Sequence, residues 1–190
     1  MKNIKTFENF NNQDILEYIE KNDIKSVKNY IESGYDLNSQ NSDGITPLIK
    51  SVINDKIEIV KLLLNAGADI DKQDNFGRTA LIYATFYNST MIIKLLLDAG
   101  ANIDKQDNYG NSALICASES EDNIEMIELL LDYGADEFIL NDNDESFYDL
   151  LDDENKQYFI HKYPTSVYNA MSHWYKKPFS EFVKEYNIKN

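Results

Sequence analysis

The chain has 190 residues, enough for one ordinary domain or a short array of repeats. Hydrophobic residues make up 43% and charged residues 27%, which excludes a disordered chain and suits a folded one. Thirty-three acidic against eighteen basic residues give a formal charge of −15, which disfavours a phosphate backbone or an anionic membrane surface as ligand.

Residues 1–12 form a leader with lysines but without the apolar run of a signal peptide. No stretch approaches the roughly 18 consecutive apolar residues of a membrane span. The single cysteine, Cys116, cannot staple the chain to itself. Together these predict a cytoplasmic protein.

From residue 13 the sequence repeats itself. Residues 65–84 read NAGADIDKQDNFGRTALIYA and residues 98–117 read DAGANIDKQDNYGNSALICA, with fourteen of twenty positions identical. All seven glycines fall in two series, Gly34, Gly67, Gly100, Gly134 and Gly44, Gly77, Gly110, at spacings of 33 or 34. Glycine recurs where φ must be positive or a side chain would clash. The first series follows apolar runs such as IEIVKLLLNAG, read as helices that pack on several sides and end in a glycine cap. Asp55 with Glu58, and Asp122 with Glu125, have capping-box spacing at the starts of two of these helices. The second series precedes shorter helices opened by Thr46, Thr79, Ser112 and Ser146, with Pro47 at a first helical position. The connections DIDKQDNFG and NIDKQDNYG are projecting, hairpin-like turns.

The units are therefore 13–40, an N-terminal cap that turns Ile15, Leu16, Ile19, Ile24, Val27, Tyr30 and Ile31 inward; 41–73, 74–106 and 107–140, three full repeats; and 141–163, a degenerate C-terminal cap. In the last unit Asp144 replaces the glycine, and Phe147, Leu150 and Leu151 keep the first helix recognisable. The third repeat carries one extra residue within SESEDN. Residues 164–190 form an aromatic-rich tail of two short helices split by Pro178, with Tyr168, Met171, Trp174, Tyr175, Phe179, Phe182, Val183 and Tyr186. These aromatics either cover the end of the array or form a second contact surface.

GITPLIKSV, GRTALIYAT and GNSALICAS, followed by KLLLNAGADID, KLLLDAGANID and ELLLDYGADEF, resemble the ankyrin repeat over residues 13–151. The resemblance implies an all-α solenoid of stacked antiparallel helix pairs with projecting β-hairpin-like turns, here with a short C-terminal helical tail. The family's usual histidine is replaced by Ile49, Ile82 and Ile115, so apolar packing must serve in its place.

No catalytic constellation, metal site or cofactor motif emerges. His161 and His173 lie outside the repeats and at no ligand spacing from Cys116, which reads as a small buried residue. The run from Asp142 and Asp144 to Asp153 echoes a calcium loop but has Phe147 where glycine is needed and Asp153 in place of the bidentate glutamate. The expected function is non-catalytic binding of an unidentified protein or peptide through the concave face. The acidic chain favours a basic target, with no nucleic acid or membrane partner, and a monomer or weak oligomer is expected. Candidate contacts at variable turn positions are Ser42, Asp43 and Ile45; Asn75, Phe76 and Arg78; Asn108, Tyr109 and Asn111. At the ends of the first helices they are Ile53 and Asn54, Phe86 and Tyr87, Glu119 and Ser120. Among them, Phe76, Arg78, Phe86, Tyr87 and Tyr109 are of the types enriched in binding hot spots. Two alternatives are a structural or regulatory subunit that assembles through the tail, and an enzyme with an unrecognised site in the tail, whose activity His161→Ala or His173→Ala would abolish.

Overall fold

A computed structural model describes residues 12–120, 124–171, 175–186 and 188. The leader up to residue 11, Glu121 and Asp122 of the extra-residue turn, and His173 and Trp174 of the tail lie outside the described residues. Helices α1 (Asn12–Glu20) and α2 (Ile24–Glu32) make the N-terminal pair. The three repeats contribute α3 (Pro47–Ile53) with α4 (Ile57–Asn65), α5 (Ala80–Phe86) with α6 (Thr90–Asp98), and α7 (Ala113–Ser118) with α8 (Ile124–Asp132). Beyond them come α9 (Asp153–Lys162), α10 (Pro164–Met171) and α11 (Phe179–Glu185). No strand occurs among the described residues.

Each helix pairs with its sequence neighbour, and the pairs stack in register. First helices α1, α3, α5 and α7 contact one another in series, and second helices α2, α4, α6 and α8 do the same. This is the stacked-pair solenoid that the repeated sequence implies. One continuous core runs through it, from Ile15 through Leu63, Leu96 and Leu130 to Phe182. Ile49, Ile82 and Ile115 are each buried, so the positions that lack histidine are filled by aliphatic side chains.

The helix starts follow the hydroxyl pattern in three of four places. Thr46, Thr79 and Ser112 accept the N–H groups of Ile49, Ile82 and Ile115 at 3.1, 3.3 and 3.4 Å. Ser146 departs from the expectation. Its N–H and hydroxyl both donate to Asp149, at 2.9 and 2.6 Å, and residues 147–150 form turns rather than a helix. A carboxylate three residues on ties the serine forward, in competition with a helical turn.

A second correction concerns α4. Its N-cap is Lys56, without a side-chain bond, so Asp55 and Glu58 form no capping box. Asp55 instead adopts φ +50° in the turn between α3 and α4, and its carboxylate accepts from the Ser89 hydroxyl of the next repeat at 3.0 Å. Asn22 and Asn88 take the same left-handed conformation in the equivalent turns. Asn and Asp tolerate that region better than other non-glycine residues. Asp122 of the second capping pair lies outside the described residues.

The C-terminal helices close the end of the stack. Phe159 of α9 meets Phe147 edge-on at 6.4 Å, and Glu128 of α8 takes bonds from both Tyr158 and Lys162. Phe182 is fully buried, with Tyr168 and Tyr175 at 5.6 Å and Tyr186 at 4.8 Å. The tail thus turns Val167, Met171, Tyr175 and Phe182 into the same core, with Pro178 as the N-cap of α11. Among the described residues no helix is long and apolar enough to cross a membrane.

Candidate interaction surface

The projecting turns are built by one side chain each. Asn41, Asp74, Asp107 and Asn141 stand at equivalent positions, and Oδ1 of each accepts the N–H groups two and four residues on. For Asp74 these come from Phe76 and Arg78 at 2.9 and 2.8 Å; for Asp107, from Tyr109 and Asn111, both at 2.9 Å. The turn closes with Asp74 N–H donating to the Arg78 carbonyl at 3.0 Å.

Neighbouring turns are then laced together. The Asn75 N–H donates to Asp43 O at 3.1 Å and the Asn108 N–H to Phe76 O at 2.9 Å. The Gln73 amide bridges the Gly77 and Gln106 carbonyls, and Gln40 and Gln106 repeat the device. A polar backbone that would otherwise splay into solvent becomes a rigid platform.

Gly77 is required twice over. Its φ is +76°, and a Cβ there would stand 2.7 Å from the Asn108 backbone nitrogen. Gly67, at a helix end, has φ +85° but open space around it. The two glycine series therefore meet different needs: helix capping in one, close approach of adjacent turns in the other.

On this platform the candidate contact residues separate into groups. Ser42, Asp43, Phe76, Phe86, Tyr87, Tyr109 and Glu119 present exposed side chains. The four rings of Phe76, Phe86, Tyr87 and Tyr109 range from 38% to 53% exposed, on the turns and first-helix ends of the second and third repeats. Asn75 and Asn108 are exposed at their edges, but their amides are tied to Ser42 O at 2.8 Å and Asn75 O at 3.0 Å. Ile45 and Ile53 are half-buried against the core. Asn54, Arg78, Asn111 and Ser120 are also half-buried, Asn54 as the C-cap of α3.

Arg78 organises the centre. It is the chain's only arginine, and its guanidinium carbon lies 5.2 Å from the Phe76 ring centre and 4.9 Å from that of Phe86. Tyr83 meets Phe86 edge-on at 6.4 Å and donates its hydroxyl to Asp74 at 2.6 Å. Burial first, and then the Asp74 carboxylate, push the Tyr83 phenol up to about 12. At the third-repeat end, partial loss of hydration together with the charges of Asp107 and Glu145 raises the Glu119 carboxyl, although its side chain still reaches solvent. Cys116 is buried inside the stack, where loss of water and the charges of Asp107 and Glu119 push its thiol far up.

Tyr83 and the turn-forming Asn41, Asp74, Asp107 and Asn141 were not foreseen as parts of this surface. Their signal was the recurrence of Asn or Asp after Gln or Leu at the period of the repeat. Among the described residues no group of three or more His, Cys, Asp or Glu converges to hold a metal ion. His161 Nδ1 contacts the Gln157 carbonyl of its own helix at 2.8 Å. On the second-helix side a groove of about 320 Å³ lies between α6 and α8, with Met91 and Leu129 among carboxylates of Glu125, Glu128 and Asp132.

The comparison with known families agrees with this geometry. The family model for ankyrin repeats (3 copies) matches residues 15–107 and 66–141, which together span more than half of the chain. The chain belongs to the ankyrin-repeat family, a fold that generally mediates protein–protein interaction. No curated protein matches the sequence.

Proposed function

We propose that the protein binds a partner protein or peptide through the concave face formed by the turns and first helices, with Phe76, Phe86, Tyr87 and Tyr109 as anchors. The observation that carries this reading is the exposure of four rings on the turns and first-helix ends of the second and third repeats, where the turns are already locked by hydrogen bonds. A preformed aromatic surface loses little entropy on binding, and such residues commonly dominate interface energetics. The formal charge of −15 and the exposed Asp43 and Glu119 favour a target with basic side chains over a nucleic acid or an anionic membrane.

The same reading makes the tail an end cap. Burial of Phe182 and Met171 in the shared core supports a monomer over assembly through residues 164–190. A buried free thiol at Cys116 fits a cytoplasmic location.

The test is capture from lysate of the protein's own source, comparing the full chain with a Phe76→Ala, Phe86→Ala, Tyr87→Ala, Tyr109→Ala variant of matched far-UV circular dichroism. Selective loss of one captured protein supports the reading. Unchanged capture would move the binding site elsewhere on the array.

A further inference from the structure

The second and third repeats differ in what faces the carboxylate that shapes the turn. In the second, Tyr83 supplies the donor for Oδ2 of Asp74 at 2.6 Å. In the third, Asp107 stands in register with Asp74, and Cys116 in register with Tyr83. Oδ1 of Asp107 is doubly bonded by its own turn, but Oδ2 meets no donor although the carboxylate is wholly buried. A thiol is a weak donor and falls short of the reach of a phenol.

Two further orphaned atoms belong to the same neighbourhood. Arg78 Nε is buried without an acceptor, 3.8 Å from Asp107 Oδ2 and so beyond direct bonding distance. Asn111 Oδ1 is buried without a donor, on the residue whose backbone N–H donates to Asp107 Oδ1 at 2.9 Å. One donor and two acceptors, each shut away from solvent, would all forfeit their hydration for nothing.

We propose that this junction between the second and third repeats is the binding site of one internal water molecule, which accepts from Arg78 Nε and donates to Asp107 Oδ2 and Asn111 Oδ1. Water alone among common small ligands matches that set. An ammonium ion has no lone pair for the arginine, and an anion has no protons for the two oxygens. Three hydrogen bonds are the usual complement of a buried water. The bound water takes the structural place that the Tyr83 hydroxyl fills one repeat earlier. It also holds Arg78 inward, so that the guanidinium braces the Phe76 and Phe86 rings while its charge is directed at Asp107. Arg78 is thereby a positioning residue of the aromatic surface, whatever partner that surface meets.

A crystal structure of the full chain, at a resolution that shows ordered solvent, decides the matter. The expected result is one well-occupied water within hydrogen-bonding distance of all three atoms. In Cys116→Tyr the phenol oxygen is expected at the same point, bonded to Asp107, with the water gone. A wild-type map without that water overturns the proposal, whether the Asn111 amide is turned to donate directly to Asp107 or Arg78 Nε has closed onto the carboxylate. The wild-type map suffices even if the tyrosine variant does not fold.

Discussion

The Tyr83 hydroxyl donates to Asp74 Oδ2 at 2.6 Å, joining the first helix of a repeat to the side chain that shapes the turn before it. Asp74 is buried, so Tyr83→Phe leaves a carboxylate oxygen without its donor. Urea unfolding should show a loss of about 1–3 kcal/mol. The same bond has a signature in pH. An unfolded tyrosine releases its proton near 10, whereas folded Tyr83 holds it to about 12, so the folded state binds more protons across that interval. The stabilisation is therefore intact below pH 10 and falls as pH rises toward 12. The alkaline decline should be shallower in Tyr83→Phe than in wild type.

The two glycine series should respond differently to alanine. Gly67→Ala meets only the strain of positive φ, a cost of roughly 1–2 kcal/mol. Gly77→Ala adds a clash with the backbone of Asn108 and should cost roughly 3 kcal/mol or more. Equilibrium denaturation of both variants checks the order. Equal losses would mean that adjacent turns do not approach as closely as described.

Removal of the tail's central ring tests whether residues 164–190 cap the array. Phe182 is fully buried in the shared core. Phe182→Ala should cost about 3–5 kcal/mol of tail docking and lower the thermal midpoint, with the molar mass by light scattering unchanged. A variant that kept its midpoint but changed its mass would point to assembly through the tail.

The thiol of Cys116 should be silent in the folded protein. Burial, Asp107 and Glu119 hold it in the protonated form. An aromatic disulfide reagent is expected to label it only at the rate of unfolding, and to label it at once in denaturant. Fast labelling under native conditions would contradict the packing between the second and third repeats.

Much of this architecture was legible because each repeat is a copy. Two glycine series, three hydroxyl caps and the apolar second helices each recurred at one period, and each recurrence had a single geometric meaning. The misreadings arose where a polar residue had two outlets. Asp55 looked like a helix cap, yet its left-handed turn sends its carboxylate to Ser89 of the next repeat. Ser146 looked like a fourth cap until Asp149 claimed both of its donors. The candidate surface was legible in its aromatics and less so in its support. Asn75 and Asn108 are candidate contacts by their variability, and the ladder that ties their amides to the neighbouring turn leaves no trace in residue type. The bracing role of Arg78 needed the distances to Phe76, Phe86 and Asp107.

Partner recognition through the turn and first-helix face is tested most directly by placing a photo-crosslinking amino acid at single positions in the full chain. Tyr87 and Tyr109 sample the aromatic surface, and Met91, 57% exposed on α6, samples the second-helix side. After irradiation in lysate of the protein's own source, the account predicts one common adduct from positions 87 and 109 and none from 91. An adduct at 91 alone, or equal adducts at all three, would contradict it.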